Sequence, residues 1–306
     1  MTTHPGVTQP AIQLANAPVS WGISEGTSWT GGDTWATVLD EIAQAGYSGT
    51  ELGDYGFLPT DPAQLRAELG ARGLAMLGSF LLAALHDPTS HGRAESEALR
   101  NGRLVAATGG RYLVLCQAGD EPRERHAGRV TRDMELTPEQ WRAVCDGANR
   151  IARTVRDELG LDTVFHHHAG TYVETPDEVA RIMDITDPAL VGLCLDTGHY
   201  YFGGGDPREA LASYAGRIRY LHFKDVNPAR LFDVHSRGLG FHDAVAANVF
   251  AELGQGAVDF PGLMRDLGDR GYQGWACVEQ DIVPAAGVVP LESAVRSREY
   301  LRSLGL

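Results

Sequence analysis

Two stretches, Thr163-Val-Phe-His-His-His-Ala-Gly-Thr171 and Leu193-Cys-Leu-Asp-Thr-Gly-His199, decide how this 306-residue chain is read. Each begins as a short apolar strand and switches abruptly to imidazoles or a carboxylate. A parallel sheet presents chemistry in this way, at the carboxyl edge of its strands. Outward from these two, the pattern repeats in both directions. Toward the N-terminus the sequence predicts strands over 12–20, 49–52, 74–81 and 111–116. The helices between them span 34–45, capped by Asp33, then 62–72, capped by Asp61, and about 95–108. A polar loop over 117–136 leads to Thr137-Pro138, an N-cap followed by proline at the first helical position, and Thr175-Pro176 and Asp206-Pro207 repeat that device. Toward the C-terminus come strands 189–196, 217–224 and 274–279 and helices 260–270 and 291–304. With 163–168 this gives eight strands, each followed by a helix or by a loop leading to one, the pattern of a single-domain (β/α)8 TIM barrel over residues 1–306. An open doubly wound sheet calls for a Gly-rich phosphate loop after the first strand. The segment after Trp21 has none, and Gly203-Gly-Gly-Asp-Pro207 reads as a turn into a helix.

Composition narrows the function. The chain is 43% hydrophobic and 22% charged, enough for a large core. Its formal charge of −14 repels a polyphosphate backbone and argues against nucleic acid as a partner. Cys116, Cys145, Cys194 and Cys277 are scattered without a C-x-x-C pair, the pattern of reduced thiols. Residues 1–10 form a polar tail without the features of a signal peptide, and no apolar run is long enough to span a bilayer. A soluble, cytoplasmic protein with no membrane partner is the expectation.

Successive strand residues face opposite ways, so inward positions follow two by two. In Tyr220-Leu-His-Phe-Lys224 the apolar Leu221 and Phe223 face the helices, which turns His222 and Lys224 inward. By the same parity Cys277 and Glu279 point inward, as do Cys194 and Asp196, and His166 and His168. Four consecutive strand ends thus offer His168, Asp196, His222 and Glu279. Such a mixture of nitrogen and oxygen ligands suits Mn²⁺ or Co²⁺, with Zn²⁺ also admissible.

At these residues the chain resembles a known family. His166-His-His-Ala-Gly-Thr-Tyr-Val-Glu-Thr175, Leu195-Asp-Thr-Gly-His199, His222-Phe-Lys-Asp225 and Val278-Glu-Gln-Asp281 are similar to motifs of the inosose (2-keto-myo-inositol) dehydratases. That family belongs to the xylose-isomerase-like TIM barrel superfamily of metal-dependent sugar isomerases, epimerases and endonuclease IV. The similarity begins at Ala17-Pro-Val-Ser-Trp-Gly22 and covers nearly the whole chain. It implies a carbon–oxygen hydro-lyase of inositol catabolism that uses a divalent metal to remove water from a cyclic keto-polyol. The superfamily's epimerases place a carboxylate at the end of the fifth strand as one of two opposed bases. Here His168 takes that place, with His166 as the alternative, which leaves Glu279 alone of the pair and suits an elimination.

Removal of a hydrogen beside a ketone needs a base, an acid for the departing β-hydroxyl, and positive charge near the developing oxyanion. Glu51 and His199 are the acid/base candidates, with Lys224 as the compensating charge. Trp21, His166, Glu174 and Asp225 are the substrate-binding candidates. Residues 225–258 read as a long loop after the seventh strand, a lid or subunit contact with a short helix near 241–250. The remaining functional readings are a sugar isomerase or epimerase and a non-catalytic metal- or polyol-binding subunit. Barrels of this kind commonly pair, so a homodimer or homotetramer is expected.

Overall fold

The eight strands of the barrel are β1 (Ala11–Asn16), β2 (Gly49–Thr50), β3 (Gly78–Ala83), β4 (Tyr112–Gln117), β5 (Asp162–His166), β6 (Val191–Asp196), β7 (Ile218–Phe223) and β8 (Gln273–Val278). The structure, a computed structural model, describes residues 11–23, 34–283 and 287–306. The polar tail, the segment after Ile23 and the expected cap Asp33 lie outside the described residues. Seven strands are hydrogen-bonded in parallel in the order β1-β8-β7-β6-β5-β4-β3. The ring closes through β2, which pairs with Ala75–Met76 just before β3. Ser48 N–H donates to Leu14 O, and Leu52 N–H to Gly78 O, each at 2.9 Å.

The apolar side chains separate into two cores, as period-2 alternation requires. Ala15, Val114, Val164, Cys194, Tyr220 and Cys277 fill the barrel's interior. There Tyr112 and Tyr220 stack at 4.6 Å between ring centroids. Leu113, Leu115, Phe165, Leu193, Leu221, Phe223 and Val278 face outward. They pack against the surrounding helices α1 (Trp35–Gln44), α2 (Pro62–Ala71), α3 (His91–Ala107), α4 (Pro138–Leu159), α5 (Pro176–Ile185), α6 (Pro207–Tyr214), α7 (Phe260–Asp269) and α8 (Pro290–Ser303). Thr137 and Thr175 each form a reciprocal capping box, with Gln140 and Glu178. Thr34 caps α1 by accepting from Thr37 N–H. The first strand is shorter than expected: Pro18 has no N–H for the ladder, and Pro18–Trp21 turns into a 3-10 helix.

Two excursions cover the carboxyl end of the barrel. After β4, Glu121–Arg125 is a short helix. Residues 225–258, expected as a long loop with a short helix near 241–250, hold that helix and further secondary structure. Strand Asp225–Val226 pairs antiparallel with Phe250–Ala251, and helices Pro228–Arg237 and Phe241–Ala246 lie between them. Their apolar faces, including Val234, Ala244 and Phe250, pack on Phe202 and Ala127. Arg129 donates to Leu239 O at 2.7 Å, and Glu124 accepts from both the N–H and the ring Nδ1 of His242. Under the first excursion Arg123 makes a bidentate pair with Glu178 at 2.7 and 2.9 Å, the two side chains 1% and 5% exposed. No described helix is long and apolar enough to cross a membrane.

Candidate metal centre

Four barrel strands bring ligand-type side chains to one point. His166 ends β5 and Asp196 ends β6. His222 lies one residue before the end of β7, and Glu279 follows β8, with its N–H donating to Phe223 O at 3.0 Å. One ligand atom from each falls within 4.8 Å of all the others, and all four residues are buried. His166 Nε2 is 3.5 Å from Asp196 Oδ2, and His222 Nδ1 is 3.8 Å from Asp196 Oδ2 and 3.3 Å from Glu279 Oε2. Asp196 Oδ2 and His222 Nδ1 are buried without a hydrogen-bond partner. Buried polar atoms are rarely left this way unless something else satisfies them. Three carboxylates, from Asp196, Glu279 and Asp281, face the single ammonium of Lys224, and a fourth, Glu51, pairs with His222. A divalent cation fits both the donor set and the charge imbalance.

This corrects the sequence expectation for the fifth strand. β5 stops at His166, which is therefore its last inward residue. His168 lies beyond the strand, where the chain has already turned and His168 N–H donates to Val173 O. Its ring lies tilted against His199 at 3.8 Å between centroids, and the pair forms a second group with Asp281. His168 Nδ1 donates to Ala169 O at 2.8 Å, which leaves Nε2 with its lone pair. Burial pushes the rings of His167 and His168 down to about 3 and that of His199 well below its ordinary value, so all three are neutral. Burial likewise lowers His166. It also opposes charge on His222, but the Glu279 and Glu51 carboxylates hold that ring well above the ordinary histidine value.

Lys224 lies at the centre, 1% exposed. Its Nζ is 2.9 Å from His199 Nε2, 2.7 Å from Asp281 Oδ1, 3.2 Å from Glu279 Oε2 and 3.4 Å from Asp196 Oδ2. Its stem crosses Gly198, where a Cβ would stand 2.6 Å from Lys224 Cγ. Only glycine admits that approach.

The remaining candidates fall elsewhere. Glu51 is buried behind the cluster, where Oε1 accepts from Tyr220 OH at 2.8 Å and from His222 Nε2 at 2.9 Å. It orients His222 from the side away from the barrel mouth. Trp21 packs in the outer core and donates from Nε1 to Glu41 at 2.6 Å, so it does not cover the mouth. Glu174 is neither exposed nor turned toward the cluster. Its carboxylate accepts from the N–H groups of Gly128 and Gly170 and joins the two loops beside β5. Asp225 is consumed in the same way: Oδ1 accepts from Val226 and Val258 N–H, and Oδ2 from Gly254 and Gly256 N–H, all at 2.9–3.0 Å. Asp281 was missed as a site residue; its signal is the two-residue spacing from Glu279, which returns it to the same side. Phe80 and Leu82 were also missed. They occupy alternate positions of β3, Phe80 meets the ring of His166 edge-on at 5.6 Å, and Leu82 is 39% exposed.

Glu174 gives a pH test of stability. Burial raises its pKa from 4.5 to about 7. Between those values the folded chain binds more protons than the unfolded one, so stability is full below about pH 4.5 and falls as pH rises toward 7. The loss amounts to about 3 kcal/mol. Glu174→Gln removes the titration, and the downward slope of Tm between pH 5 and 7 should flatten relative to wild type. An unchanged slope assigns the dependence to another group.

The profile described as a xylose isomerase-like TIM barrel matches residues 39–304. The chain is 35% identical to the inosose dehydratase of Geobacillus kaustophilus over 296 residues, 96% of this chain and 94% of that protein. It is 32% identical to the inosose dehydratase of Lacticaseibacillus casei over 293 residues, 95% of this chain and 96% of that one. Its fold is similar to that of a solved IolI protein with a bound zinc atom, with a TM-score of 0.72 and 16% identity over 96% of this chain and 98% of that one.

Proposed function

We propose that this chain, which belongs to the xylose isomerase-like TIM barrel family and within it to the inosose dehydratases, removes water from 2-keto-myo-inositol or a close cyclic keto-polyol in a metal-dependent reaction. The observation that carries this reading is the convergence of His166, Asp196, His222 and Glu279, with three of their buried polar atoms unpartnered. These four residues would hold the ion. Two imidazoles and two carboxylates without a thiolate favour Mn²⁺ or Co²⁺. When bound, such an ion supplies Lewis-acid polarisation of a ketone and its neighbouring hydroxyl.

The chain's own residues supply the rest. His168 is half-buried, with a neutral ring and a free Nε2, and is placed to take the proton from the carbon beside the ketone. The proton it takes is delivered to the β-hydroxyl, which departs as water. Lys224, fixed by His199 and Asp281, places its positive charge where oxygen charge develops. Phe80 and Leu82 offer an apolar wall for the C–H face of a sugar-like ring.

Incubation of the Mn²⁺- or Co²⁺-loaded protein with 2-keto-myo-inositol should give a conjugated enol that absorbs in the ultraviolet, with one water lost per turnover. A product that retains the elements of water assigns the chain to isomerisation or epimerisation. No turnover across keto-inositols leaves a polyol-binding subunit. Glu51→Gln should weaken the ion by about 10–100-fold, since an outer carboxylate that fixes a ligating imidazole typically contributes that much. Ion titration followed by calorimetry reads it, and unchanged affinity removes Glu51 from that role.

A further inference from the structure

We infer that Lys224 is a tethered cation filling a second ion cradle, made of His168, His199 and Asp281, immediately beside the proposed metal centre. The inference rests on the metal-dependent reading above and goes beyond it. It makes the protein a one-ion site whose second positive charge is built into the chain.

The three residues offer ligand atoms within 4.8 Å of one another. Each has the preparation of a ligand. His168 is held by Nδ1 on Ala169 O, the second-layer contact that fixes the tautomer of ligating histidines. His199 is held at Nδ1, which accepts from Ala169 N–H at 3.3 Å, and its Nε2 is turned to the cradle, 2.9 Å from the ammonium. Asp281 is 8% exposed, and its Oδ2 is buried, without a hydrogen-bond partner, 3.5 Å from His199 Nε2. The cradle thus has an acceptor to spare once Lys224 Nζ has taken Oδ1 at 2.7 Å. The same Nζ reaches Asp196 and Glu279 of the first set at 3.4 and 3.2 Å, so one ammonium spans both groups. Its stem is threaded over Gly198, and its tip lies 5.1 Å from the centre of the Phe250 ring. A charge held this way is not lost to a chelator and does not depend on ion supply. It suits a substrate with two adjacent oxygens, one directed to the ion and the other to the ammonium.

The test is ion stoichiometry, read by elemental analysis and by the visible absorption of Co²⁺ after dialysis. Wild type is expected to hold one ion per chain, and Lys224→Met, which keeps the apolar stem and removes the charge, two. Adding His199→Ala to Lys224→Met should return the count to one. A folded Lys224→Met that still holds one ion overturns the inference and leaves the proposed function standing. Wild type with two ions also overturns the inference, and wild type with none overturns both. Should Lys224→Met fail to fold, His199→Ala and Asp281→Asn on the wild-type background decide the matter. Both should keep the single ion, and its loss would place these residues in the first set and overturn the separate cradle.

Discussion

His166→Ala should abolish tight divalent-ion binding and lower kcat/KM by about 1000-fold or more, a loss of roughly 4 kcal/mol of transition-state stabilisation. His166 is the last inward residue of β5 and stands 3.5 Å from Asp196 Oδ2 among four buried ligand-type groups. Alanine leaves three donors around a buried charge that needs four. His168→Ala separates binding from chemistry. His168 lies two residues on, with its ring against His199, and this variant should retain the ion while kcat falls by about 100-fold or more, the range for a lost general base. Elemental analysis and single-turnover kinetics on the two variants distinguish the roles. If His168→Ala loses the ion and His166→Ala keeps it, the proposed assignment is reversed.

The second large effect concerns stability. Arg123→Ala should destabilise the fold by about 3–5 kcal/mol, because it strands the Glu178 carboxylate in a site from which water is excluded. Glu178 has further duties: its Oε2 also accepts from the N–H groups of Glu174 and Thr175 at the start of α5. For a chain of this size the loss corresponds to a drop in Tm of about 5–8 °C. Arg142→Ala is the control. Arg142 pairs with Glu139 where both side chains are more than 70% exposed, and such a pair contributes at most about 1 kcal/mol. Thermal denaturation of both variants reads the difference, and equal shifts would mean that burial of the Arg123 pair has no energetic consequence.

Most of the architecture was legible in the sequence because barrels repeat. Apolar alternation marks the strands, and Thr-Pro and Asp-Pro mark helix starts at Thr137, Thr175 and Asp206, all three of which cap as expected. Inward parity placed Asp196, His222, Lys224 and Glu279 together correctly. It could not choose between His166 and His168, which share a parity; the choice depends on where β5 ends, and strand ends are set by partners rather than by local pattern. Glu174 and Asp225 were misread for a different reason. A carboxylate that accepts backbone N–H groups from remote loops has the same local signature as one that binds a ligand. The pair of helices in 225–258 was half visible: the short helix near 241–250 was expected and Phe241–Ala246 is helical, whereas Pro228–Arg237 lies in a stretch that reads as polar loop.

The four backbone bonds of Asp225 fasten both feet of the 225–258 excursion at one point, with Gly256 so close that a Cβ there would sit 2.2 Å from Asp225 Oδ1. An insertion riveted at its root meets the cylinder below through few side chains, chiefly Phe241 against His168 and Phe250 against His199 and Lys224. The arch between Asn227 and Glu252 is therefore a replaceable module: grafts that preserve Asp225, the two glycines and the Phe241 and Phe250 contacts should change what enters the barrel without unseating the residues that meet it there.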